Sequence, residues 1–220
     1  MRLLGSGRTA DVYELDGDRV LRRYRDGHDA REEAAVMAYV AAHGYPVPDV
    51  HPELTEGRPT DLVMRRLSGP TMLRAIEDGT YDAAEGGRVG ALLLRRLHAI
   101  PARRSPDPRD RMLHLDLHPD NVMLTPSGPV VIDWRNSREG PPGLDCAMSA
   151  VILAQAAVGG TPELAVPARE ALAGLLDGLG EAMDYGDGLD EAARLRSRNA
   201  TLSREEIDCL DAAVKLIRRR

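Results

Sequence analysis

Lysine occurs once, as Lys215, against 28 arginines, and phenylalanine is missing altogether. Any task in the body of the chain that calls for a lysine must therefore fall to another residue. The two cysteines, Cys146 and Cys209, lack the close spacing of a metal-binding set, so free thiols in a reducing cytoplasm are expected. Positive charge is not in excess: the formal net charge is −6, which argues against a nucleic-acid partner. The longest apolar run, about a dozen residues around 147–158, falls short of the roughly 20 that a membrane span needs. Residues 1–5 carry no signal-peptide hydrophobic region, and there is no internal repeat or low-complexity tract. What remains is a chain of 220 residues, 43% hydrophobic and 29% charged, long enough to bury a core as one domain or two intimate lobes.

The stretch 114–134, HLDLHPDNVMLTPSGPVVIDW, is the most informative. Asp116 is followed by Asn121, an apolar run 122–124, a turn at 125–128, and a second apolar run that ends on Asp133. Two short strands joined by a Pro/Gly turn would return Asn121 and Asp133 to the same end of a hairpin. A hard divalent cation such as Mg²⁺ takes oxygen ligands and keeps several waters, so the Asp133 carboxylate and the Asn121 carbonyl suit its protein share. Asp116 is then free to accept the proton of an attacking hydroxyl and aim that oxygen at a γ-phosphorus. The pattern reads as a phosphoryl-transfer site. His114 and His118 either line it or serve as structural hydrogen-bonding residues.

Here the chain resembles the aminoglycoside phosphotransferase and choline kinase-like family, which shares the protein-kinase fold. The family's catalytic loop, H-x-D-x-x-x-x-N, is matched by His114, Asp116 and Asn121; its metal-binding Asp, in an I-D-[FWL] setting, is matched by Ile132-Asp133-Trp134. His118-Pro119 after Asp116-Leu117 is the variant common among its small-molecule kinases. The Arg-Asp form and the activation segment of protein kinases are not seen in this sequence.

Residues 3–24 read as two strands about a turn at Asp16-Gly17-Asp18, the first carrying Gly5-Ser6-Gly7 and Val12. A glycine-bearing turn lets N–H groups approach phosphates, with Gly5 and Gly7 supplying permissive backbone angles. Alone, two such glycines are ordinarily just a turn; the resemblance makes them a nucleotide loop, with Val12 over the adenine and Ala10 in place of a third glycine. On the next strand, Arg22 stands where the family has the lysine that grips the α- and β-phosphates. Arginine is permanently charged and bidentate but no free substitute for lysine, so either Arg22 does the job or the site is impaired. Arg23, on the opposite face, is expected to meet solvent. The helix at 29–43 turns Val36, Met37 and Val40 to one side, and Glu33, preferred over Glu32, is either the partner of Arg22, as the resemblance implies, or a first-turn acid favouring the helix dipole. Residues 64–67 resemble the hinge, whose backbone, from Met64 to Leu67, would meet a purine edge.

Further on, Val89, Leu92, Leu93, Leu97 and Ile100 repeat at helical spacing, with His98 a packed structural residue. Asp145 reads as a helix N-cap that, by the resemblance, also braces the catalytic loop. Helices are expected at 167–183, with Leu172, Leu175, Leu176 and Leu179 inward, and at 203–218, opening on a Ser203–Glu206 capping box and burying Ile207, Leu210, Val214 and Ile217. Between them Asp184, Asp187, Asp190 and Glu191 form either a solvated loop or a cradle for a cation.

The expected fold is α+β, bilobal and protein-kinase-like, with a small β-rich nucleotide-binding lobe at 1–67 and a larger helical catalytic and substrate-binding lobe at 68–220. The resemblance implies ATP- or GTP-dependent, Mg²⁺-requiring phosphorylation of a hydroxyl on a small acceptor, cationic as aminoglycosides are. The alternative is a nucleotide-binding pseudoenzyme acting as partner or sensor, which Arg22 motivates.

Overall fold

The computed structural model describes residues 1–180, 188–199 and 202–219, and the chain divides into two compact units. The first comprises Met1–Gly69 with Met123–Arg135, the second Pro70–Val122 with Asn136–Arg220. A single cut near residue 67 would leave 123–135 in the second.

Four antiparallel strands, β1 (Arg2–Ser6), β2 (Ala10–Glu14), β3 (Arg19–Tyr24) and β4 (Asp61–Arg65), pair in that order, with helix α1 (Arg31–Ala42) following β3. The first run, expected as one strand, is thus two, turning where the Gly7 N–H donates to the Ala10 carbonyl at 2.9 Å. β1 is exposed along its length, so it lacks the in–out alternation that marks a strand. Neither Gly5 nor Gly7 has a left-handed backbone, contrary to expectation. The loop is instead held by Arg25, whose guanidinium donates to the carbonyls of Gly7 (2.6 Å) and Arg8 (3.1 Å) and reaches the Asp11 carboxylate. Register sets Val12 opposite Arg22, and Arg23 opposite Asp61. α1 buries Val36, Met37 and Val40 beside Glu33.

The second unit begins with α2 (Met72–Glu77), α3 (Ala83–Leu97) and β5 (Arg111–Leu113). Then comes the hairpin of β6 (Val122–Thr125) and β7 (Gly128–Val131), most of which belongs to the first unit. Its turn is pinned by the Thr125 hydroxyl, which donates to the Gly128 carbonyl at 2.8 Å. β8 (Arg138–Gly140) pairs with β5 and, among the described residues, is followed by five helices: α4 (Pro142–Gly159), α5 (Pro162–Leu179), α6 (Gly188–Ser197), α7 (Arg204–Asp208) and α8 (Leu210–Arg218). α4 has 18 residues, longer than the apolar run suggested, and would suffice for a membrane span by length and composition; 72% of it is buried inside the protein. A helix apolar on all sides is what the centre of a helical core requires.

Several expectations need correction. Leu92 is 55% exposed, because Leu93, Leu94 and Leu97 take the inward face of α3. α5 starts at Pro162, runs through Pro167, and stops before Gly180 at φ +57; proline suits the first helical position, where no N–H is needed. Leu176 is only half-buried on it. The last helix breaks at Cys209, although the Ser203–Glu206 capping box is present, and Ile207 is half-buried while Leu210, Val214 and Ile217 are buried. α6 was not expected: an acidic, glycine-bearing reading hid the buried Leu189 and Ala192.

α3 and α5 meet at glycines, since a side chain at Gly87 would strike the Ala171 carbonyl and one at Gly174 the Ala84 carbonyl. Gly174→Ala should therefore destabilise the protein by roughly 1–3 kcal/mol. Urea unfolding reads this as a lower midpoint at unchanged slope; an unchanged midpoint would mean the two helices separate without loss.

Candidate active site

Residues 114–121 connect β5 to β6 and end in a 3₁₀ turn, Pro119–Asn121. Asp145 lies in the first turn of α4 and is fully buried; the N-cap is Pro141, so the capping role expected of Asp145 is not the one it fills. Its carboxylate faces the loop instead. Oδ2 accepts the His114 N–H at 2.9 Å, Oδ1 accepts the Leu115 N–H at 2.7 Å, and His98 Nε2 lies 3.0 Å from Oδ2. Burial pushes the Asp145 pKa up, but the hydrogen bond and charge of His98 and the His114 N–H outweigh it and leave it below the usual carboxylate value. Leu115 is held at φ +60, a left-handed conformation that costs a leucine about 1–3 kcal/mol. His114 is buried, and its Nδ1 accepts the Asp116 N–H at 3.2 Å, the geometry of a structural residue.

Asp116 is 21% exposed and has polar neighbours on every side. Asn121 Nδ2 donates to its carbonyl at 2.8 Å and lies 3.5 Å from Oδ2, with Asn136 Nδ2 3.4 Å from the same oxygen. Arg196 Nη1 and His118 Nε2 stand 3.6 and 3.8 Å from Oδ1. Desolvation pushes the His118 pKa below the ordinary imidazole value against the pull of Asp116, which leaves the ring mostly neutral at pH 7. Cys146 Sγ lies 3.9 Å from His98 Nδ1, so Cys146, His98 and Asp145 imitate a nucleophilic triad. Burial pushes that thiol up to about 12, so no thiolate forms there at neutral pH.

In the first unit the structure brings Arg22, Glu33 and Asp133 together. Arg22 Nη2 donates to Asp133 Oδ1 at 2.7 Å, and Nη1 lies 3.6 Å from Glu33 Oε1. The Tyr24 hydroxyl donates to Glu33 Oε2 at 2.6 Å, and the tyrosine ring lies 4.9 Å from the Arg22 guanidinium carbon. Burial raises the Glu33 pKa, and Arg22 and Tyr24 oppose the rise. Arg23 does not face solvent as expected: it is bidentate on the buried Asp61 carboxylate at 2.8 and 2.6 Å. Of the other residues expected to meet a nucleotide, Gly5 to Gly7 form the β1–β2 loop, with the Ser6 hydroxyl on Asp11 at 2.6 Å, and Val12 is half-buried opposite Arg22. Met64 lies in β4 and Leu67 just beyond it. In the segment expected as a hinge, the Arg65 N–H already donates to the Asp49 carbonyl (2.8 Å) and the Arg66 N–H to the Asp18 carbonyl (2.7 Å).

The donor chemistry suits Mg²⁺. Asn121 commits its amide nitrogen to Asp116, which leaves the carbonyl oxygen as a hard ligand, and Asp133 is a carboxylate with one oxygen on Arg22. Among the described residues no group of three or more His, Cys, Asp or Glu could hold a metal unaided. Of the acidic segment, Asp184 and Asp187 lie outside the described residues, whereas Asp190 pairs with Arg218 at 2.7 Å and Glu191 with Arg194. Arg25, Asn136, Gln155 and Arg196 escaped the sequence reading, because each acts on residues distant in the chain.

The profile of the Phosphotransferase enzyme family, APH, matches residues 1–113 and 64–189. No curated protein matches the chain. Among solved structures, the amicoumacin kinase hAmiN in complex with AMP-PNP, Ca²⁺ and Ami has a TM-score of 0.61 at 13% identity, over 99% of this chain and 88% of that one. A choline/ethanolamine kinase family protein from Mesorhizobium loti gives 0.59 at 18%, over 100% and 88%. The gentamicin complex of APH(2")-IIa gives 0.58 at 12%, over 97% and 90%. These likenesses establish the α+β, kinase-like fold.

Asp145→Asn would set an amide NH₂ against N–H donors and is expected to cost about 3–5 kcal/mol. Because the folded-state pKa of Asp145 is depressed, its contribution is present above the unfolded carboxylate value near 3.9 and lost as pH falls through the lower folded value. The stability gap between wild type and variant should therefore narrow below about pH 4; a gap independent of pH would show that the ionised carboxylate is not what holds the loop.

Proposed function

Because the chain belongs to the phosphotransferase enzyme family, we propose that it transfers the γ-phosphoryl group of ATP or GTP to a hydroxyl of a small molecule. The observation that carries this reading is Asp116, presented by a loop that Asp145 anchors and Asn121 closes. Asp116 accepts the acceptor hydroxyl's proton on its carboxylate and aims the resulting oxygen. Asn121 and Asp133 would hold Mg²⁺, which when bound neutralises charge on the transferring phosphoryl group. Arg22, fixed by Glu33, supplies the phosphate contact that a lysine makes elsewhere; the Gly5–Gly7 loop covers the phosphates, with Val12 and the Met64 and Leu67 backbone at the base. The free thiols of Cys146 and Cys209 accord with a cytoplasmic setting, which belongs to the same proposal.

The acceptor is proposed to be cationic. The gentamicin bound by a structural neighbour and the acidic residues Asp184 and Asp187 support this, whereas Asp190 and Glu191 are already compensated by arginines. A second reading, a nucleotide-binding pseudoenzyme, is favoured by one observation: Arg22 covers an oxygen of Asp133.

Purified protein with Mg²⁺ and either ATP or GTP, offered matched amino sugars, neutral sugars and choline, should give a phosphorylated product by mass spectrometry, best with the amines. Nucleotide binding by calorimetry without any product would establish the pseudoenzyme; a neutral or anionic best acceptor would remove the cationic assignment alone. Asp116→Ala is expected to lower kcat by about 10²–10⁴-fold and spare nucleotide binding, whereas Asp133→Ala weakens Mg-nucleotide binding as well. Arg22→Lys should keep or raise activity and Arg22→Ala lose most of it. Near-normal turnover in Asp116→Ala would rule that residue out as the base.

A further inference from the structure

The C-terminal helices of the second unit reach Asp116 through one arginine. α6 carries two basic residues in its last turn, Arg194 and Arg196, and they behave differently. Arg194 is 56% exposed and pairs with Glu191 on its own helix, as a solvent-facing arginine does. The Arg196 side chain is only 15% exposed and turns inward. Its Nε donates to Gln155 Oε1 at 2.9 Å. Gln155, buried in α4, commits its own amide nitrogen to the Glu206 carbonyl of α7, so its oxygen is the end presented to the arginine. The guanidinium is thereby fixed from behind, and its Nη1 stands 3.6 Å from Asp116 Oδ1.

The two oxygens of Asp116 have different surroundings. Oδ2 faces the amide nitrogens of Asn121 and Asn136 at 3.5 and 3.4 Å, while Oδ1 faces Arg196, a permanent cation, with His118 beyond it at 3.8 Å. A carboxylate that rotates freely about its χ2 cannot hold one oxygen on a substrate hydroxyl; a charge fixed on one side gives the rotation a preferred end point.

We propose that Arg196 is a positioning residue for Asp116, held in place by the chain from the Glu206 carbonyl through Gln155, so that α6 and α7 set the orientation of the base. The proposal rests on the phosphotransfer reading above. It assigns the C-terminal helices a task in the chemical step that neither the loop motif nor the matched family profile, which ends at residue 189, accounts for.

Arg196→Gln removes the charge and keeps hydrogen-bonding capacity; Arg196→Lys restores charge without the fork. With the best acceptor, Arg196→Gln should lower kcat on the order of 100-fold, the scale of a misplaced catalytic group, and leave the nucleotide KM unchanged. Arg196→Lys should recover part of the loss. Gln155→Leu should lower kcat in the same direction, and the Gln155→Leu/Arg196→Gln pair should be no worse than Arg196→Gln alone. In urea unfolding, Asp116→Asn with Arg196→Gln should lose less stability than the two single losses added, because each single variant already breaks the same contact. The proposal is overturned if the wild type is active and Arg196→Gln stays within about threefold of it in kcat. It is equally overturned if kcat falls only in step with nucleotide affinity and folded fraction, or if the unfolding losses add. A wild type inactive on every acceptor removes the phosphotransfer reading and this assignment with it, whereas an active wild type with an unaffected Arg196→Gln removes the assignment alone.

Discussion

The Asp145 carboxylate accepts successive N–H groups from His114 and Leu115, and the course of residues 114–121 depends on that pair of bonds. The chain brings the partners together by a short route. β5 ends at Leu113, one residue before His114; β8 pairs with β5 through Leu113 and Arg138, and α4 opens two residues after β8 ends. Pairing two three-residue strands is weak by itself, so the buried carboxylate and the sheet support each other. With both N–H groups satisfied, the loop can turn through the left-handed conformation of Leu115 without leaving a backbone donor buried and unpaired. His98, at the end of α3, supplies the third contact, and three elements thus converge on one carboxylate.

β3 solves a related problem in the first unit. Its successive arginines point to opposite faces, and each answers a carboxylate that burial would otherwise make costly: Arg22 for Glu33, Arg23 for Asp61. Arg22 has the harder task, because Asp133 shares the same guanidinium. One nitrogen serves each acid, with the Tyr24 ring against the guanidinium and the Tyr24 hydroxyl on the far oxygen of Glu33. Removing the arginine would leave Glu33 and Asp133 without the guanidinium they share.

What the sequence made legible was local. The H-x-D-x-x-x-x-N spacing, the Thr125–Gly128 turn and the Ser203–Glu206 capping box are all contacts within a few residues, and their residue types are dictated by their own geometry. What escaped it depends on partners far along the chain. Nothing near Arg196 announces Asp116, 80 positions away, and nothing near Arg25 announces the loop at Gly7. Composition misled where it suggested one property for a whole segment: the acidic, glycine-bearing run 184–191 read as a solvated loop or a cation cradle, although Leu189 and Ala192 are buried on the helix that begins at Gly188. Strand alternation misled at Arg23, because a side chain on the outward face can still be drawn to a cross-strand partner of opposite charge, here Asp61.

The near-absence of lysine has a consequence for both sets of residues. A lysine taken out of water loses its proton readily, since burial disfavours the charged form. The position of Arg22, only 12% exposed, is such a setting, and there the opposing pulls are burial, which lowers its pKa, and the charges of Asp133 and Glu33, which raise it; the net direction is upward. Arg196, its side chain 15% exposed, is likewise held out of solvent against a carboxylate. Arginine keeps its charge in both places whatever the surroundings, so the contacts to Asp133 and Asp116 do not switch off as pH rises. The guanidinium fork also lets Arg22 span two acids, and Arg196 bridge an amide oxygen and a carboxylate, from one planar group, where an ammonium would have to crowd both partners onto a single nitrogen. Exposed pairs such as Arg109 with Asp107 gain little from that difference. It matters at the few positions where the arginine is desolvated and its partner is a carboxylate of the candidate site.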